Sequence, residues 1–186
     1  RAVDNQNSNE DERSFARIST AISKYWITKR APYLVFEALE CHGGPGYIEE
    51  SIMPRLYREA PLNSIWEGSG NVMCLDVLRA LQRDKNALPS LFRELASAKG
   101  SNKNFDESFS HLKETLQDPI DLEIEARLLT EKMACLIQAS IFIKSGEEEK
   151  ISAFCNSRLG PRWSGAFGTL PTDTSFEYIM LSLIHI

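Results

Sequence analysis

Apolar residues recur at three- and four-residue steps along most of this chain, and no stretch alternates with a period of two. That pattern predicts amphipathic helices joined by loops. Between Glu12 and Cys41 the stripe is Phe15, Ile18, Ala21, Ile22, Tyr25 and Trp26. Pro32 lies inside this segment and is expected to kink or divide it. Gly43, Gly44, Pro45 and Gly46 should stop any helix. A short helix is expected over residues 49–56, weakened by Pro54, with Pro61 in a loop. Val72, Leu75, Val77, Leu78 and Leu81 predict a helix over 71–81. Further helices are expected over 89–98, closed by Gly100, and over 105–116. Asp118-Pro119 reads as a helix start, with Asp as N-cap and Pro at the first position. The stripe after it runs to Lys144, and Gly146 ends it. Residues 147–159 predict one more helix, and 160–174 a loop. The fold class is therefore all-α, a helical bundle.

Composition narrows the function classes. The chain has 186 residues, 42% hydrophobic and 25% charged, with a net charge of −5. A nucleic-acid surface shows a local basic excess. From Arg83 to Lys150 there are 10 Lys/Arg against 13 Asp/Glu, so no basic patch forms there. Cys41, Cys74, Cys135 and Cys155 are scattered without a CxxC, and His42, His111 and His185 complete no metal-ligand spacing. Structural zinc is not expected, and free, mostly buried thiols are. No apolar run reaches the ~20 residues needed to span a bilayer.

Two short segments carry the candidate chemistry. The first is the Gly-Gly-x-Gly turn at Gly43 to Gly46, which can let backbone approach a phosphate. The second is Trp66-Glu67-Gly68-Ser69-Gly70-Asn71, which sets one carboxylate beside an aromatic ring at the start of a helix. A carboxylate near an aromatic ring in a dry pocket has its pKa raised and can take a proton from an activated carbon. Read alone, each segment has a plainer explanation. Glu67 could be an exposed loop glutamate, and the glycines a helix-ending turn, since no strand precedes them as in dinucleotide-binding loops. Arg55 and Arg58 could bind an anion, although a solvated face or an ion pair with Glu59 explains them more simply. Trp26, Trp66 and Trp163 read as packing residues.

In order, these segments resemble the C-terminal helical domain of the acyl-CoA dehydrogenase superfamily. The shared pattern is a helix, then Gly43-Gly44-Pro45-Gly46-Tyr47, then Tyr57-Arg58-Glu59-Ala60, then Ile65-Trp66-Glu67-Gly68-Ser69. Ser23-Lys24-Tyr25-Trp26, the run from Asn63 to Arg79 and the long helical continuation resemble the AidB-type branch. The expected organisation is a C-terminal bundle over 1–82, truncated at its start, and a helical extension over 83–180, with 83–103 as connector. Leu181 to Ile186 resemble a translated sequencing adapter, so native sequence is expected to end near Met180.

The resemblance implies an FAD-dependent enzyme that dehydrogenates an acyl-CoA, with Glu67 as the α-proton base. It implies that Ser69, Gly70 and Asn71 meet the adenosine and diphosphate portion of FAD. It implies that Gly43 and Gly44 meet the FAD of a neighbouring subunit. Glu40 falls where family members place a Gln on that same FAD, and an acid there would repel a diphosphate. A homodimer or homotetramer and a bacterial-type cytoplasmic setting are implied too. The family's other two domains are missing, so the fragment alone is expected neither to hold FAD tightly nor to turn over substrate. The competing function is duplex-DNA binding in the response to alkylation damage, as for the protein that gives the branch its name; the acidic extension argues against it.

Overall fold

The computed structural model describes residues 1–117 and 122–184, and all regular structure among them is helical. The helices are α1 (Ala2–Asn5), α2 (Glu10–Cys41), α3 (Gly44–Tyr47), α4 (Met53–Glu59), α5 (Gly70–Arg83), α6 (Ala87–Ala96), α7 (Lys103–Gln117), α8 (Leu122–Ser145), α9 (Glu148–Arg158) and α10 (Phe176–Ile184). A 3-10 turn, Ala60–Ser64, continues α4. The start signal at Asp118-Pro119 lies outside the described residues.

The chain forms two compact units. The first comprises Arg1–Leu88 and Asp121–Glu131. Its spine is α2, which begins with a capped end: the Asn9 side chain accepts from the N–H groups of Asp11 and Glu12 at 2.9 and 3.2 Å. Glu10, Asp11 and Glu12 in the first turn suit the helix dipole. The buried face of α2 carries Ala16, Ile18, Ala21, Ile22, Tyr25 and Trp26. It packs against α1, α4, the 3-10 turn and α5, whose own buried face is Cys74, Val77 and Leu78. Arg17 pins α2 to α5 from outside, donating to both carboxylate oxygens of Asp76 at 2.9 and 2.8 Å.

The second unit comprises Pro89–Ile120 and Lys132–Ile186. Its core contains Leu91, Leu95, Phe105, Phe109, Leu112, Met133, Leu136 and Ile151. The Phe92 and Phe109 rings meet edge-on at 5.7 Å, and the Phe142 and Phe154 rings lie 5.0 Å apart. Asn104 donates to Asn156 at 2.8 Å, tying α7 to α9. Lys144 pairs with Glu94.

Several local expectations need correction. Pro32 does not divide α2, which continues for nine further residues to Cys41. A mid-helix proline costs about 3 kcal/mol; the helix is anchored well before it by buried Ile22, Tyr25 and Trp26 and near its end by Leu39. Pro54 does not weaken the next helix. It sits in the first turn of α4, where its missing N–H would have no helical partner anyway. Pro61 does the same for the 3-10 turn. The glycine turn ends α2, yet Gly44–Tyr47 then close one helical turn of their own. Trp66 is 56% exposed, not packed, whereas Trp26 is buried. α1 and α10 were not expected from the apolar pattern.

Candidate functional site

The segment between the 3-10 turn and α5 has an unusual backbone. Among the described residues, Glu67 is the one non-glycine residue with positive φ, at 53°, and Gly68 follows at 111°. The left-handed region costs a side-chain-bearing residue roughly 1 kcal/mol, so something must hold it there. Lys24, half-buried on α2, supplies the hold. Its ammonium donates to the carbonyl of Trp66 at 2.9 Å and to the carbonyl of Gly68 at 2.5 Å. The two acceptors flank Glu67. The glutamate side chain itself is exposed, so the dry pocket expected around a working base is not supplied by the described residues.

Three residues after Glu67, α5 begins. Ser69 is its N-cap, but its side chain makes no capping bond. The first-turn N–H groups of a 14-residue helix therefore present a dipole end suited to an anion. Gly70 is buried for a steric reason. A Cβ there would lie 2.4 Å from Lys29 Cε, 3.2 Å from Lys29 Nζ and 3.4 Å from the Tyr25 ring. The missing side chain thus admits a second ammonium and an aromatic ring to the helix start. Asn71 accepts from Arg127 Nε at 3.2 Å. Below them, Cys74 is fully buried. Burial pushes up both the Cys74 thiol and the Tyr25 hydroxyl, and hydrogen bonding to Thr130 and Tyr25 partly offsets this for the thiol. Neither group is a ready base or nucleophile.

The glycine turn sits elsewhere. Gly43 has φ 63° and follows the last turn of α2, with its N–H donating to the Glu40 carbonyl at 3.0 Å. A Cβ on Gly43 or Gly44 would meet nothing within 4 Å, so this backbone faces open space. Gly46 is the crowded glycine: a Cβ there would lie 2.4 Å from the Leu39 carbonyl oxygen. Glu40 is exposed on the final turn of α2. A groove of about 540 Å³ beside the turn is lined by Leu39, Tyr47, Ile48, Glu49, Pro54, Tyr57 and Arg58. Arg58 pairs with Glu49 at 2.5 Å, not with Glu59, which pairs with Arg55 at 2.9 Å. The Arg58 guanidinium accordingly holds the Glu49 carboxyl below its usual range.

The structure therefore groups Glu67, Ser69, Gly70 and Asn71 and keeps Glu40, Gly43 and Gly44 apart from them. Lys29 and Glu40 lie on one helix, so the two groups are separated by about 16 Å of α2 axis. Lys24 and Lys29 escaped the sequence reasoning. Lys29 falls on the apolar stripe of α2, where a lysine needs a polar partner, and Lys24 lies within the Ser23-Lys24-Tyr25-Trp26 segment.

Both groups fall within the part of the chain that matches a known family. The acyl-CoA dehydrogenase C-terminal domain matches residues 1–82. The AidB protein of Escherichia coli (strain K12) is 40% identical over 151 residues, 81% of this chain and 28% of that relative. Acyl-CoA dehydrogenase family member 11 of Caenorhabditis elegans is 34% identical over 61% of this chain and 18% of the relative. The crystal structure of Caenorhabditis elegans ACDH-11 in complex with C11-CoA matches with a TM-score of 0.70 at 25% identity, covering 82% of this chain and 30% of that one. The chain thus spans less than a third of the length of each of these relatives.

Proposed function

This chain belongs to the acyl-CoA dehydrogenase family, whose C-terminal domain its residues 1–82 match, and from that premise we propose that it supplies the catalytic base and part of the cofactor surface of an FAD-dependent acyl-CoA dehydrogenase. The observation that carries this reading is the Glu67 loop: a carboxylate held in a strained backbone three residues before an open helix N-terminus.

The residues fit their assigned partners to different degrees. The uncapped start of α5, with the Lys29 ammonium beside Gly70, suits a diphosphate, and Ser69, Gly70 and Asn71 would hold it. Gly43 and Gly44 leave open backbone that a second FAD could approach. The 16 Å of helix between the groups, about the axial length given above, supports assigning them to two cofactors, one across a subunit boundary. Glu40 does not fit a diphosphate, because its carboxylate would repel one. Bound FAD supplies the acceptor for the hydride that leaves the β-carbon of the substrate. Glu67 takes the α-proton. Its own N–H donates to the thioester carbonyl, which acidifies that proton and stabilises the enolate. The ligand in the ACDH-11 structure is an acyl-CoA, and the same substrate class is proposed here. The enclosure that Glu67 lacks in this chain comes, on this reading, from the rest of the protein.

Replacing Glu67 with Gln in the intact protein is expected to abolish α-proton exchange of a bound acyl-CoA while flavin remains bound. Dehydrogenation that survives the substitution overturns the assignment.

A further inference from the structure

Lys24 does more than tether a loop. A trans peptide sets its N–H antiparallel to its C=O, and the chain has no cis peptide bond among the described residues. The carbonyl of Trp66 belongs to the same peptide plane as the N–H of Glu67. When that carbonyl points at Lys24, the Glu67 N–H points away from α2. The second bond, to the Gly68 carbonyl, fixes the peptide one residue further on, between Gly68 and Ser69. The two anchored carbonyls bracket both residues of this loop with positive φ, Glu67 at 53° and Gly68 at 111°.

We propose that Lys24 is a positioning residue that aims both the Glu67 carboxylate and the Glu67 N–H at the acyl thioester. This rests on the role proposed for Glu67 above. Lys24 touches neither substrate nor flavin. Its charge also polarises the Trp66–Glu67 peptide, making the Glu67 N–H a stronger donor. A lysine suits the task because its three donors radiate from one point, whereas a guanidinium presents a planar fork.

The test uses the full-length parent protein with its flavin, and a probe acyl-CoA that can exchange its α-proton but cannot lose a β-hydride. Exchange is followed by mass spectrometry in deuterated buffer, alongside flavin content, probe affinity and thermal midpoint. Lys24→Met is expected to slow exchange roughly 10- to 100-fold, the scale of a misaimed catalytic group, with probe affinity and flavin content little changed. Lys24→Arg is expected to fall between Met and the wild type. Wild-type exchange in either variant overturns the proposal, and Lys24→Arg decides it if Lys24→Met fails to fold. Glu67→Gln separates the two levels of inference. If it abolishes exchange while Lys24→Met leaves exchange intact, only the role of Lys24 fails. If Glu67→Gln exchanges normally, the functional reading fails and this one with it.

Discussion

Gly46→Ala tests whether the glycine turn is built for packing or for a ligand. The new Cβ would lie 2.4 Å from the Leu39 carbonyl oxygen and 2.9 Å from His42 Cβ. The first neighbour is backbone in the last turn of α2, and it already accepts from the His42 N–H at 3.1 Å. It cannot swing aside as a side chain would. Relieving the overlap takes nearly 1 Å of backbone movement, which costs about 1–3 kcal/mol as overpacking and about 1 kcal/mol as a weakened cap bond. Reduced freedom in the unfolded chain returns about 0.4–1 kcal/mol. The net expectation is a loss of about 2 kcal/mol. Gly44→Ala meets nothing within 4 Å and should stabilise by the unfolded-state term alone, about 0.4–1 kcal/mol. Gly43→Ala has space but φ 63° with ψ −147°, a region that glycine alone occupies readily, and should cost about 1–3 kcal/mol. Urea unfolding followed by tryptophan fluorescence would rank the three. Equal midpoints for Gly46→Ala and Gly44→Ala would refute the reasoning, since the two sites differ only in what a methyl group meets.

Three further outcomes follow from packing and burial. Phe109→Ala removes a ring that touches both Phe92 and Phe105 in the second unit, and should cost about 3–5 kcal/mol, read as a lower urea midpoint for that unit; a loss under 1 kcal/mol would mean the cluster is not packed as described. Cys155 is buried and its thiol is pushed up to about 11. In the unfolded chain it ionises at about 8.5. The folded state therefore holds its proton longer, so this contribution is intact below pH 8.5 and is lost as pH rises towards 11. Cys155→Ala should flatten the alkaline limb of a stability–pH profile, and an unchanged limb would assign it to other groups. In the native chain, exposed Cys41 should react with a thiol reagent well before buried Cys74, Cys135 and Cys155.

The all-α class and most helix positions were legible because apolar periodicity reports burial directly. α5 starts one residue before its expected first position, and α7 and α9 differ from expectation by no more than two residues at either end. Prolines misled because their effect depends on position in a helix. Pro54 and Pro61 lie in first turns, and Pro32 lies in a half-exposed stretch of a helix anchored by buried residues before it and by Leu39 after it. The site was legible as an ordered set of short segments. Its mechanics were not. Nothing in Trp66 to Asn71 shows that a lysine some forty residues upstream grips two of their carbonyls, because that pairing exists only once α2 and the loop are packed. Nor did the glycine spacing separate Gly46, held by a carbonyl, from Gly43 and Gly44, which face open space.

The arrangement explains why a proton-abstracting glutamate sits on a loop at all. On a helix its N–H would be consumed by the residue four positions back, leaving none for a thioester carbonyl. A loop frees that N–H but surrenders its direction. A left-handed residue between two anchored carbonyls restores the direction without spending the N–H, since only acceptors are tied down. The anchor has to be a donor, has to be charged enough to offset the strain, and has to stand on something rigid. Lys24 meets all three conditions: it is one residue from buried Tyr25 on the 32-residue helix that forms the spine of its unit. The same helix sets the spacing between the two groups of proposed cofactor contacts. A change in α2 that altered its phase between Lys24 and Glu40, such as a one-residue insertion after Lys29, should therefore disturb the glycine-turn group and spare the Glu67 group. A rotation of about 100° per residue would keep Lys24 on its loop while turning Glu40 and the glycine turn off their present face.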